Sequence, residues 1–186
     1  MNIFVLSTGR CGSTTFIEAC KPISNYSSGH EFRIGYLGPE RLAYPDNHIE
    51  ADNRISGFLG RLDKVFGRDA CYIHLMRDVI KTAKSYSKRL RPGMILPVYA
   101  RGIYIRTPGQ LDPFQVGLDY CETVNANIKM FLKDKPLKMD SQLSSATADW
   151  QKFWHKIGAE GDYNAALNEW NIRHNAYRKQ SSSSTT

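Results

Sequence analysis

The stretch IFVLSTGRCGSTTF (residues 3–16) runs from an apolar segment through two glycines into a cluster of small hydroxyl residues. The apolar part, 2–7, predicts a short buried strand. STTFIEACK (13–21) predicts a helix that Pro22 stops. A strand, a glycine loop and a helix start together offer backbone N–H groups to an anion, reinforced by the positive end of the helix dipole. Gly9 and Gly12 let the backbone curl inward, Ser13, Thr14 and Thr15 supply hydroxyls, and Arg10 supplies positive charge. The nucleotide-hydrolase loop reads G-x-x-x-x-G-K-[ST]. Here only two residues separate the glycines, and no lysine follows Gly12. No acidic strand end marks a Mg²⁺ site, so the chemistry disfavours ATP hydrolysis. The alternative at this point is an ordinary strand–turn–helix capped by Ser13 or Thr14.

Outward from this loop, strands and helices alternate. ISNYSS (23–28) reads as a second strand. Residues 50–66 carry Ile55, Phe58, Leu59, Leu62 and Phe66 at helical spacing, and DACYIHLM (69–76) reads as a third, buried strand. A basic helix is expected over 77–91. Residues 92–117 read as loop, punctuated by Pro92, Pro97, Pro108 and Pro113. A long helix over 114–133, a strand over 135–140 and helices over 147–159 and 163–177 complete the pattern. Such alternation predicts an α/β fold. Its mostly parallel central sheet would lie between two helical layers, like that of P-loop nucleoside triphosphatases. One domain is expected over 1–178, followed by a disordered Ser/Thr tail over 179–186. In such sheets ligands bind beyond the carboxyl ends of the strands. That rule selects the loop after the first strand, the SSGHEF segment after the second and MRD after the third.

The 186 residues carry 25 Lys and Arg against 18 Asp and Glu, a net charge of +7 that favours anionic ligands without choosing among them. The four cysteines (Cys11, Cys20, Cys71, Cys121) form no C-x-x-C pair. They point away from a zinc site or a disulfide scaffold and suit a reducing compartment. MNIFVLSTGR has no basic leader region and nothing approaches transmembrane length, so a cytoplasmic location without a membrane span is expected. No His/Cys/Asp/Glu spacing suggests a metal.

A second anion site lies further along. RDVIKTAKSYSKRLR (77–91) carries six basic residues against one acidic residue. Arg77 falls at a strand end, and Ser85 follows eight residues later, about 12 Å along a helix axis. An arginine fork and a serine hydroxyl so placed can grip one phosphate. The bland alternative is a solvated basic face with Arg77 in an ion pair.

STGRCGSTTF followed by YIHLMRDVIKTAKSYSKR resembles the sulfotransferases that use 3′-phosphoadenosine 5′-phosphosulfate (PAPS), and more closely their bacterial and carbohydrate type than the cytosolic type. The resemblance covers roughly residues 1–90. It implies that the loop at Thr8, Gly9, Arg10, Cys11, Gly12, Ser13 and Thr14 binds the phosphosulfate side. It further implies that Arg77 and Ser85 bind the 3′-phosphate and that Arg10 is the loop's cation. Neither metal nor γ-phosphate clamp is required for that reaction, which accounts for the missing lysine. The implied activity is in-line sulfuryl transfer from PAPS to a hydroxyl acceptor, a small molecule or carbohydrate, with adenosine 3′,5′-bisphosphate (PAP) leaving.

The acceptor must lose a proton to a carboxylate or imidazole. GHEF offers His30 and Glu31. It resembles the family's Gly-x-x-Glu segment, whose glutamate is the base, with one residue fewer between Gly29 and Glu31. Glu31 is the favoured base and His30 the second candidate. The chain is short for the family, so the acceptor side is either reduced or completed by a second subunit, as in a homo-oligomer. Two other functions stay open: a P-loop kinase or ATP-binding protein, and a non-catalytic binder of PAP or, less favoured, of nucleic acid.

Overall fold

The computed structural model describes residues 1–106, 109–172 and 174. The tail over 179–186 lies outside them. Five strands form one sheet: β1 (Ile3–Leu6), β2 (Ser27–His30), β3 (His48–Ala51), β4 (Cys71–Met76) and β5 (Lys138–Gln142). Their order is β2-β3-β1-β4-β5, and every pairing is parallel. The expected α/β architecture is therefore present, with an all-parallel sheet.

Alternation along β1 sets the two faces. Ile3 and Val5 pack into one core with helix α1 (Ser13–Cys20), α6 (Ala146–Ile157) and α7 (Tyr163–Asn168). That core is aromatic: Phe16 meets Trp150 edge-on at 5.3 Å and Phe153 at 4.9 Å. Phe4 and Leu6 face the other way, against α2 (Leu59–Phe66) and α5 (Pro113–Leu132). A third cluster joins α5 to α3 (Val79–Tyr86) and α4 (Ile95–Gly102) through Tyr86, Leu96, Val116 and Tyr120.

Six expectations need correction. The last strand, expected over 135–140, lies at 138–142, and the last helix, expected over 163–177, ends at Asn168 and passes into a 3₁₀ turn at Glu169–Asn171. The second strand lies at 27–30, not 23–28. The helix expected over 50–66 is three pieces: β3, a short 3₁₀ turn at Asn53–Gly57, and α2. β3 escapes sequence reading because its fully buried HIEA segment holds a histidine and a glutamate, which mask an apolar signal. The expected 92–117 loop contains α4. Pro97 is the third residue of that helix, where its missing N–H has no intrahelical acceptor to lose. The basic helix ends at Tyr86 rather than Arg91.

From β1 the chain goes to β2 and β3 on one side and then crosses over to β4 on the other. β1 is thus the point where strand order reverses, and the crevice beyond its carboxyl end is where such sheets bind ligands. The 7–12 loop opens into that crevice.

Candidate functional site

The loop between β1 and α1 is shaped by left-handed backbone. Gly9 has φ +79°, Arg10 +59° and Gly12 +91°. Gly12 caps α1 and no side chain caps the helix, so the proposed capping by Ser13 or Thr14 is absent. The N–H groups at the helix start therefore face the crevice with the dipole behind them. Two buried phenols hold the base of the loop: Tyr86 and Tyr120 both donate to the Thr8 carbonyl, at 2.5 and 3.2 Å. The Thr8 hydroxyl and the Cys11 thiol are buried and bonded to each other at 3.1 Å, so these two side chains lie beneath the loop rather than in the crevice. Burial pushes the Cys11 thiol pKa up, which keeps it protonated.

Gly9 has no room for a side chain. A Cβ there would overlap the Tyr86 hydroxyl and stand 3.0 Å from Asn53 Cγ. Gly9→Ala is therefore expected to lose about 2 kcal/mol through left-handed strain and crowding, lowering the melting midpoint by roughly 4–8 °C. Differential scanning calorimetry checks this.

Arg77 leaves the end of β4, one residue before Asp78 caps α3 by accepting from the Lys81 N–H at 2.7 Å. It does not form the helix-start ion pair of the bland reading. Instead its Nη1 donates to the Arg10 carbonyl at 3.0 Å. Arg10 Nε in turn donates to Ser85 Oγ at 3.3 Å. Arg10, which sequence reasoning assigns to the phosphosulfate side alone, thus touches both residues assigned to the 3′-phosphate. Burial first, and then the neighbouring Arg89 and Arg77 guanidinium groups, push the Arg10 pKa below the ordinary arginine value. Crowded like charges of this kind are relieved by an anion.

Two cavities meet at Arg10, Ser13 and Thr14. The larger, about 540 Å³, has a cationic wall of Arg10, Arg77, Lys81, Lys84 and Lys88, with Ser85 among them. Leu143, Trp170 and Ile172 add apolar lining beside Asn171 and His174, and no carboxylate among the described residues lines it. The smaller, about 120 Å³, contains Gly9, His30, Glu31, Arg54, Met94 and Ile95 among its lining. The structure thus brings together every residue singled out in the sequence except the buried Thr8 and Cys11 side chains.

His30 Nε2 is 3.1 Å from Ser13 Oγ, tying the end of β2 to the start of α1. Glu31 follows with φ +57°, a left-handed conformation unusual for a non-glycine residue. Its Oε1 accepts from Arg54 Nη1 at 2.7 Å, rather than pairing with Arg33 or Arg10. Among the described residues no partner meets its Oε2. Arg54 and Asn53 were missed in the sequence because they follow the unrecognised β3. With that strand in place, the rule of ligands at carboxyl strand ends points to them. No group of three His, Cys, Asp or Glu side chains among the described residues could hold a metal ion, and no helix among them is long and apolar enough to cross a membrane.

Among solved structures, the chain is similar to a sulfotransferase domain from the curacin biosynthetic pathway. The TM-score is 0.64 at 14% identity, over 90% of this chain and 77% of that one. The fold is that of a sulfotransferase. No protein-family model and no curated protein matches the sequence. Within this sulfotransferase fold, the two cavities lie on either side of the loop after β1, one cationic and the other holding a carboxylate.

Proposed function

We propose that this protein transfers the sulfuryl group of PAPS to a hydroxyl acceptor, leaving PAP. The observation that supports this reading most is the convergence of Arg10, Arg77, Ser85 and a glycine loop without a side-chain cap on one cleft that no carboxylate among the described residues lines. The residues fit the donor. Left-handed Gly9 and Gly12 place no side chain at their two positions of the loop, and the cationic wall suits a ligand carrying two separate phosphate-bearing groups. Arg77 and Ser85 would hold the 3′-phosphate, with Arg10 and the loop N–H groups on the phosphosulfate side. The apolar lining of Leu143, Trp170 and Ile172 would face the nucleoside.

In the transfer itself the sulfur–oxygen bond to the 5′-phosphate breaks, a bond to the acceptor oxygen forms, and the acceptor proton leaves to a base. The chain's part is electrostatic and positional. Arg10 and the loop amides stabilise the negative charge that grows on the departing phosphate, from fixed positions that need no reorganisation. Glu31, in the lining of the smaller cavity, serves as the base, with Oε1 anchored by Arg54. His30, the second candidate, is engaged with Ser13 and serves to fix the loop. The smaller cavity would take the acceptor hydroxyl, whether of a carbohydrate or of another small molecule, and the cytoplasm is the proposed setting.

Incubation with ³⁵S-labelled PAPS and a panel of glucose, a chondroitin oligosaccharide and 4-nitrophenol tests the reading. Label on an acceptor, with no turnover of ATP in parallel, is the expected result. Turnover of ATP without turnover of PAPS would overturn it in favour of a kinase or ATPase.

A further inference from the structure

Beneath Glu31 lies a set of charged groups that the fold buries almost completely. Arg41 is 3% exposed, His48 3%, Glu50 0% and Asp52 1%. They form a closed circuit around the end of β3. From Glu31 the circuit passes to Arg54, whose backbone N–H donates to Asp52 Oδ1 at 2.8 Å. Asp52 Oδ2 pairs with Arg41, and Arg41 Nη1 donates to the Tyr44 hydroxyl at 3.1 Å. Tyr44 stacks on His48, with ring centroids 5.4 Å apart and planes 13° from parallel. His48 Nε2 meets Glu50 Oε2 at 3.1 Å. Glu50 Oε1 accepts the N–H of Phe32 at 3.1 Å, which returns the circuit to the residue after Glu31.

Stability alone gives little reason for such a circuit. Burying paired charges is often no better than burying apolar side chains of similar volume. Here the charges surround a strained residue: the left-handed Glu31 is held by its own N–H to the Ala51 carbonyl at 3.2 Å, by Glu50 through the next peptide, and by Arg54 through its carboxylate. Backbone strain persists only where its surroundings over-determine it, and it concentrates at functional sites. Gly29 admits the circuit from the β2 side, since a Cβ there would stand 3.1 Å from Glu50 Oε2 and 3.2 Å from His48 Cε1.

We infer that Glu50 is a positioning residue for the transfer reaction: through the Phe32 N–H and the buried Arg41–Asp52 pair, it and its circuit hold Glu31 in the conformation that presents the carboxylate to the smaller cavity. The catalytic part of this inference rests on the sulfuryl-transfer reading; the conformational part does not.

The test compares Glu50→Gln with Glu50→Leu, by crystal structure, by PAP titration, and by kcat and KM on the acceptor labelled in the panel above. Glu50→Gln keeps an acceptor for Phe32 and is expected to hold kcat within about threefold. In Glu50→Leu, Glu31 is expected to leave its left-handed conformation. There kcat should fall at least about tenfold while PAP affinity changes less than about twofold, because displacement of a reacting group acts on the chemical step. An unmoved Glu31 or an unchanged kcat in Glu50→Leu would overturn the inference, as would equal losses of kcat and PAP affinity, which indicate a general structural role. Should Glu50→Leu fail to fold, Arg54→Met, a partly exposed change, opens the same circuit and must give the same signature. If wild type shows no preference for PAP, the function falls, and the position of Glu31 in the variant still decides the conformational part.

Discussion

Arg77→Ala is expected to weaken PAP binding by roughly 30- to 300-fold and to leave AMP binding within about threefold. The magnitude follows from a charge-assisted contact to one phosphate, about 2–3.4 kcal/mol. Arg77 suits that role because it is already oriented: it rises from the end of β4 and its Nη1 is fixed on the Arg10 carbonyl at 3.0 Å. Little conformational freedom remains to be lost on binding. AMP lacks the 3′-phosphate and therefore serves as the internal control. Arg77→Lys should recover only part of the loss, because an ammonium lacks the fork that binds phosphate through two donors. Isothermal titration of the three proteins with PAP and AMP reads this directly. Equal weakening of PAP and AMP would assign Arg77 to the loop structure instead.

Glu31→Gln is expected to lower kcat by about 10²–10⁴ while PAP affinity stays within about twofold, the signature of a lost general base. Glutamine preserves the volume and an oxygen for Arg54 and removes the proton acceptor, so the left-handed turn is retained. His30→Gln should cost far less, since an amide can keep the bond to Ser13. The reverse ranking, a silent Glu31→Gln and a dead His30→Gln, would move the base to His30. Steady-state kinetics beside PAP titration separates these outcomes.

Some of this site was legible in the sequence and some was not, for physical reasons. The 3–16 stretch announced itself because an apolar strand, two glycines and a hydroxyl cluster each obey a local rule, and all of them agree. Arg77 was legible because the strand before it is apolar on both faces. β3 was illegible because its burial is achieved with charge: His48 and Glu50 satisfy each other in the sheet interior, so neither composition nor periodicity marks the segment. Losing β3 also hid Asp52, Asn53 and Arg54, hence the true partner of Glu31. The link between Arg10 and Ser85 joins residues 75 apart and depends on how β1 and β4 pair, which no local pattern encodes. Likewise Leu143 reaches the cleft only because β5 pairs beside β4, and Trp170 only because the last helices fold back over α1.

The central claim is that the cationic cleft recognises a nucleotide by its 3′-phosphate. The most direct measurement is a calorimetric titration of the wild-type protein with PAP, AMP and ATP at one salt concentration. PAP binding at least about 30-fold tighter than either of the others is the predicted result, following from one charge-assisted phosphate grip. PAP binding no tighter than AMP, or weaker than ATP, would contradict the account.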